Sequence, residues 1–497
     1  MHHNRLAPVH VTAAVLVLMA LGGCGIPSAP QRPSANTAQP AYAAVGSGSG
    51  ASRVTDNDLR NGVPASQPQP PLPMTFSADA WRGMGEAAIL VAPAASQNDS
   101  GGWLFVLPSI PAAAGANVLA SAHPVYLGDR VLSARISPDG RWVAVVRQEP
   151  ATGAAGPAPA CSLWLVAADG RTSQRVAAGD VITGGWLPST DTFVYTDGTA
   201  AVHAVDPGGT PHRLPISTAP GATLQQVVPN PRDGRLALLE VVPDPGGNAI
   251  DRHDVLLLWD PNGARTTVLR TANKGDGFLL GPWTADGQAL FYWPDPLHSA
   301  SLAADGLTLH RVDTAGHDQA LTVTLPGTDA IAPATGSQAA IQTGAGRTLW
   351  AAPKQIQWLD GHRLTPVSPN PGHTQLWPTV SPDGKTVAFV EGPAGAPKSQ
   401  ASTADAMSRA WWAQTSLVAV DLERHQRHVV VPAGGDPAQA RFTPDGRILI
   451  ADRAGLAWVA PSGQAQPHRV LTIAQTAAPL PAQWGSVAPI GIADLHP

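Results

Sequence analysis

A chain of 497 residues that is 43% hydrophobic carries enough apolar material for a sizeable core, which excludes global disorder. Charged residues make up 13%, about half the usual ~25%, and 31 basic against 36 acidic residues leave a net charge of −5. That balance excludes a nucleic-acid binder held by phosphate contacts. Fifty glycines and fifty prolines favour many short strands over long helices, and two cysteines exclude a disulfide scaffold or a Cys-rich metal cluster.

The chain starts with a weakly basic stretch (His2, His3, Arg5, His10) and an apolar run from Val11 to Leu21. Such a run reaches only about half of a ~30 Å hydrocarbon core at ~1.5 Å per residue, so it predicts a secretory h-region and not a membrane span. Leu21-Gly22-Gly23-Cys24 follows directly and resembles the lipobox of bacterial lipoproteins. The resemblance implies a signal peptide over 1–23 and a Cys24 that is diacylated on sulfur and heads the mature protein. The membrane is then a partner through the lipid, on the extracytoplasmic face, or in the outer membrane where a cell has two. Cys161 is expected to be a small inert side chain. Residues 24–75, with Gly46-Ser47-Gly48-Ser49-Gly50 and Pro68-Gln69-Pro70-Pro71-Leu72-Pro73, lack any apolar period and are expected to form a disordered tether. A coil of ~50 residues spans ~40 Å.

From residue 76 to 497 one pattern recurs: an apolar strand, a Ser-Pro-Asp-Gly-like turn, a second apolar strand, a connection, and a third strand. Ser137-Pro138-Asp139-Gly140, Ser381-Pro382-Asp383-Gly384, Thr443-Pro444-Asp445-Gly446 and Thr284-Ala285-Asp286-Gly287 are the clearest turns. Weaker copies stand at Pro188-Ser189-Thr190, Pro231-Arg232-Asp233-Gly234 and Pro333-Ala334-Thr335-Gly336. Proline presets φ for the second position of a type I turn, aspartate tolerates the third, and glycine supplies the positive φ that returns the chain. Third strands often carry tryptophan, as in Leu163-Trp164-Leu165-Val166, Leu256-Leu257-Leu258-Trp259 and Leu456-Ala457-Trp458-Val459. A four-stranded unit of about 50 residues repeated at least seven times predicts an all-β fold, a β-propeller. Eight blades are favoured, with seven the alternative. The first unit lacks a good first strand before Ala87-Ala88-Ile89-Leu90-Val91, and the C-terminal stretch around Pro489-Ile490-Gly491 is expected to supply it.

The Ser-Pro-Asp-Gly turns resemble the WD40-like repeats of TolB-type propellers, and the layout of anchor, tether and propeller is similar to that of LpqB-type lipoproteins. Both families carry a further globular domain before the propeller for which residues 25–75 leave no room. The resemblance implies the architecture and leaves the function open.

No Gly-x-Ser-x-Gly elbow, His-Glu-x-x-His or phosphate loop occurs in the sequence. The expectation is therefore a chain that is not an enzyme and takes no metal or other cofactor. His425 and His428 lie three apart, on opposite faces of a strand, and predict no shared ion. Asp251-Arg252-His253-Asp254 reads as a solvated loop. The inner strands look poor in charge, with single arginines at Arg135 and Arg441. Three long connections, Gln148–Ser162, Val242–Asp254 and Glu391–Gln414, fall between second and third strands and are expected on the face opposite the tight turns. The last contains Arg409, Trp411 and Trp412, side-chain types that dominate binding energy at interfaces, and is the candidate partner-binding loop. The alternative is that both tryptophans tuck onto the blade. The reading is a lipid-anchored platform for an envelope protein or peptide. Its competitors are a propeller enzyme acting on extracellular polysaccharide and a small-ligand sensor for a membrane kinase.

Overall fold

The turn tetrapeptide fixes the strands around it through its side chains. In the computed structural model, which describes residues 74–91, 102–149, 161–179, 181–244, 251–271, 273–346, 353–395, 404–463, 466–473 and 490–496, the Ser137 hydroxyl donates to Asp139 Oδ1 at 2.6 Å. The same oxygen accepts the Trp142 N–H at 3.0 Å, and Asp139 Oδ1 accepts the Arg141 N–H at 2.9 Å. Ser381 repeats all of this with Asp383, Thr386 and Lys385, and Thr284 does so with Asp286, Ala289 and Gln288; Thr443 keeps the bond to Asp445, its hydroxyl lying against the Arg447 carbonyl. Each closing glycine sits at positive φ, +73° at Gly140 and Gly384. The aspartate thus does more than tolerate its position: it is an acceptor hub. Burial pushes Asp139 up, but hydrogen bonds from Ser137 and Arg141 overcome this and hold it down to about 2.

The strands in chain order are β1 (Met74–Phe76), β2 (Glu86–Val91), β3 (Gly102–Leu107), β4 (Val125–Ile136), β5 (Trp142–Gln148), β6 (Cys161–Ala167) and β7 (Ser173–Gly179). Then come β8 (Thr183–Trp186), β9 (Phe193–Thr196), β10 (His203–Val205), β11 (His212–Arg213), β12 (Thr223–Pro229), β13 (Leu236–Pro243), β14 (Arg252–Trp259) and β15 (Arg265–Arg270). Next are β16 (Gly277–Trp283), β17 (Ala289–Asp295), β18 (Leu307–Asp313), β19 (Asp318–Thr324), β20 (Ile331–Pro333), β21 (Ala339–Thr343), β22 (Gln355–Asp360) and β23 (Arg363–Pro366). The last are β24 (His373–Val380), β25 (Thr386–Pro393), β26 (Ser416–Asp421), β27 (Gln426–Val431), β28 (Gln439–Phe442), β29 (Ile448–Asp452), β30 (Gly455–Val459), β31 (His468–Ile473) and β32 (Ile490–His496).

All pairings are antiparallel, and the fold is all-β, as expected. Five sheets are simple meanders of four: β8–β11, β12–β15, β16–β19, β20–β23 and β24–β27. A sixth runs β28–β31 with β1 added outside β31, so Met74 and Thr75, the end of the sequence-assigned tether, are already strand. The seventh runs β32-β2-β3-β4-β5-β6-β7. Its strand β4 pairs β3 along its first half and β5 from Val131 onward. Between the halves Gly128 has φ +143°, and a Cβ there would overlap the Arg147 guanidinium, so only glycine fits. The last strand, β32, pairs with β2, supplying the first strand that the sequence lacked near residue 87.

Each sheet packs a face on the next. Leu376, Val390 and Ala419 meet Ala440, Ile448 and Ile450, and Val194 and Ala204 meet Leu238 and Leu257. Second strands such as β13 and β25 are therefore buried on both faces and read as continuous apolar runs. Each such Val, Leu or Phe contributes about 1.5–3 kcal/mol by burial.

Two polar devices escaped the sequence. Side chains on innermost or second strands bind backbone of the neighbouring sheet: Gln226 Oε1 accepts Leu280 N–H (2.9 Å), Gln342 Oε1 accepts Trp377 N–H (2.9 Å) and Gln439 Oε1 accepts Ile492 N–H (2.7 Å). Thr379 Oγ1 accepts Phe442 N–H (3.2 Å), and Asp494 Oδ2 accepts Ile136 N–H (2.8 Å). Elsewhere an arginine of a fourth strand closes on an acid at the end of the second: Arg175 on Glu149 (3.0 Å), Arg265 on Glu240 (2.8 Å), Arg469 on Asp452 (2.7 Å) and Arg427 on Glu391.

One expectation is corrected by the packing. Asp251–Asp254 is not a solvated loop: Arg252 onward is strand, and Asp254 is wholly buried, with Phe278 N–H binding its carboxylate at 3.0 Å. Cys161 is wholly buried, and Cys24 lies outside the described residues.

Candidate functional site

First-to-second connections are the tight hydroxyl–aspartate–glycine turns. Second-to-third connections leave the opposite end of the sheets, and they include the long ones after Val91, Gln148, Pro243, Asp295, Thr343 and Pro393. Three of these were expected. The one between β17 and β18 holds the site with the most unusual geometry among the described residues.

Here Asp295 ends β17, Pro296–His298 forms a 3-10 turn, and Ala300–Asp305 a short helix capped by the Ser299 hydroxyl. Leu297 and His298 both lie in the left-handed region, φ +56° and +44°. That conformation costs a non-glycine residue roughly 1–2 kcal/mol. Two carboxylates hold its backbone: Asp276 Oδ1 accepts Leu297 N–H (3.0 Å) and Asp295 Oδ1 accepts Ser299 N–H (3.1 Å). His298 Nε2 lies 3.3 Å from Asp254 Oδ1 without making a hydrogen bond to it. The His298 ring packs over Gly277, where a Cβ would overlap it. Burial raises the Asp295 carboxyl, with the His298 charge opposing. The result points Leu297 outward at 72% exposure, and Leu302, in the short helix that follows, is 44% exposed. Neither the left-handed leucine nor its buried support was legible in Asp295-Pro296-Leu297-His298: histidine is enriched at positive φ but leucine is not, and the supporting acids Asp276 and Asp295 are marked by no local pattern.

The loop singled out by sequence behaves differently. Trp411 and Trp412 end a helix, Ala404–Trp412, and are wholly buried. Trp411 Nε1 donates to the Pro393 carbonyl at 2.9 Å, and Trp412 stacks on Trp377 at 5.3 Å. They serve the core shared by the last two sheets, which corrects their expected role as an anchor for a partner. Arg409, on the same helix, is exposed. Of the two arginines on inner strands, Arg441 pairs with Asp329 at 2.6 Å and Arg135 is exposed near half-buried Asp494. His425 is exposed in a turn and His428 pairs across β27 with Ala419. Cys24 lies outside the described residues.

No helix among the described residues is long and apolar enough to cross a membrane. No protein-family profile matches the chain, and no curated protein matches it. Among solved structures the chain is similar to the β-propeller domain of the Trilobed protease from Pyrococcus furiosus (11% identity, TM-score 0.40, 73% of this chain and 98% of that one). It is also similar to TolB from Acinetobacter baumannii (18%, 0.31, 68% and 66%) and to dipeptidyl peptidase 4 of Porphyromonas gingivalis (11%, 0.43, 74% and 55%). The expected resemblance to TolB-type propellers is borne out as a likeness of fold. The expectation of a chain that is not an enzyme is corrected by the same finding. Proteins similar to it include that peptidase, the acylaminoacyl peptidase of Pyrococcus horikoshii and the oligogalacturonate lyase of Vibrio parahaemolyticus. At 10–11% identity none of them lends this chain a reaction or a substrate.

Proposed function

We propose that this chain is an extracytoplasmic, lipid-anchored propeller lipoprotein whose long-connection face is a platform for a protein or peptide. The carrying observation is the turn at 296–299, where two carboxylates and a strained backbone hold an apolar side chain in water. Strain of that kind clusters at ligand clamps, where a partner profits from the fixed geometry. The ring reading has eight four-stranded units, counting β32-β2-β3 with the first half of β4 as one and the second half of β4 with β5–β7 as the next. It is supported by the β2–β32 pairing and by the contacts that carry Gln439 to Ile492 and Asp494 to Ile136.

The test of the platform is selection against a displayed library of random twelve-residue peptides. Sequences should be enriched whose binding Leu297→Ser with Leu302→Ser weakens at least tenfold; enrichment of nothing would end the reading. The anchor rests on Leu21-Gly22-Gly23-Cys24. A thioether on Cys24 and a disulfide from Cys24 to Cys161 exclude each other, because a sulfur carries one or the other. Non-reducing peptide mass spectrometry separates them: the anchor needs an N-terminal cysteinyl peptide bearing acyl mass.

A further inference from the structure

The join between the two ends of the chain carries a buried acid that no binding role explains. Glu86 opens β2, is 7% exposed, and pairs across the ladder with His496, one residue from the C-terminus. Its Oε2 lies 3.0 Å from the point where a Cβ on Gly140 would stand, and His496 Nδ1 lies 3.3 Å from that same point. Acid, imidazole and first tight turn therefore meet in one place. His496 Nε2 is 2.8 Å from the Pro138 carbonyl, and Asp494, two residues back, accepts the Ile136 N–H. The charged groups around Glu86 come from two elements. β32 brings His496 and Asp494; the turn brings Asp139, which Arg141 pairs and behind which Asp191 lies.

We propose that the β2–β32 join is a proton-operated latch, closed while Glu86 is neutral and loosened when Glu86 ionises beside the Asp139 carboxylate. Burial first, and the Asp139 charge second, push Glu86 up to about 7, while Asp139 itself is held near 2 and stays charged. A carboxyl whose folded value is raised favours the folded join below its ordinary value near 4.5. That support is lost as pH rises through about 7. The strand released, residues 490–496, also carries the Gln439 contact to Ile492, so loosening reaches the β28–β31 sheet.

Hydrogen–deuterium exchange on the full chain, corrected for intrinsic pH dependence, tests this. Between pH 5.5 and 8.5 protection of peptides covering 86–91 and 490–496 should fall about tenfold or more, most of it below about pH 7 and levelling off above, while β13 and β25 stay unchanged; each pH unit between the ordinary and the raised value is worth at most about tenfold. Glu86→Gln should remove the fall. His496→Gln should keep it, and a fall lost there would transfer the switch to the imidazole and overturn the proposal. So would a fall of equal size in Glu86→Gln, or the absence of any fall confined to these two strands in the unmodified chain. The last reading needs no variant to fold.

Discussion

Replacing Ser381 by alanine isolates what the tight turns contribute. The substitution removes a hydroxyl that donates to Asp383 at 2.5 Å and accepts the Thr386 N–H at 2.9 Å, on a residue only 8% exposed. A neutral hydrogen bond contributes about 0.5–1.5 kcal/mol and one to a charged group about 1.5–3. Asp383 is exposed and regains water, so the second figure shrinks, and the expected loss is about 2 kcal/mol. Ser381→Thr keeps both bonds, as Thr284 does in its own turn, and should cost under about 0.5 kcal/mol. The Ser381 hydroxyl first, and the Lys385 N–H second, hold the Asp383 carboxyl below its usual range. Its stabilisation is therefore complete above that range and lost as pH falls through it toward the folded value. The gap between the parent and the Ser381→Ala variant should accordingly be widest near pH 7 and narrow below pH 4. Urea midpoints followed by tryptophan fluorescence at pH 7 and pH 3.5 measure it. An alanine variant indistinguishable from the parent, or a threonine variant as damaged as alanine, would show that the hydroxyl–aspartate pair is incidental to the turn.

The core role of the paired tryptophans predicts that Trp411→Ala costs about 3–5 kcal/mol in urea unfolding, whereas an exposed binding residue would cost near zero. Lys354 is wholly buried, and burial lowers its amine to about 8. The unfolded chain then holds the extra proton between about pH 8 and 10.5, so stability should rise with pH across that window, and Lys354→Met should flatten the rise in thermal melts.

How much of this was legible follows from where the information sits. The turns were readable because their chemistry is contained in four to six consecutive residues, Ser381 through Thr386 for one. The second strands were readable because burial on both faces leaves an unbroken apolar run. Trp411 and Trp412 misled because tryptophan beside arginine describes an interface and a core corner equally well. What decides is Trp377, more than thirty positions upstream, whose ring stacks on Trp412. Asp254 misled for the same reason: its burial is set by Phe278 and Thr271, which belong to the following sheet and the crossing into it. The Gln226, Gln342 and Gln439 contacts and the arginine–acid pairs join residues far apart in sequence, so no local pattern announces them. At the 296–299 turn, a leucine takes a conformation for which its residue type gives no signal, and the enrichment of its histidine neighbour there does not by itself place the turn.

The placement of β32 has a consequence for how the chain is made. The five simple meanders each complete within a few tens of consecutive residues as synthesis or export proceeds, but the edge of β2 away from β3 has no partner until residues 490–496 arrive. Until then an apolar strand with free backbone donors and acceptors waits, an invitation to pair with a neighbouring chain. Loss of residues 490–496 would thus be felt at β2, hundreds of positions earlier in the sequence, and their pairing is a contact of high sequence separation, the kind that closes slowly.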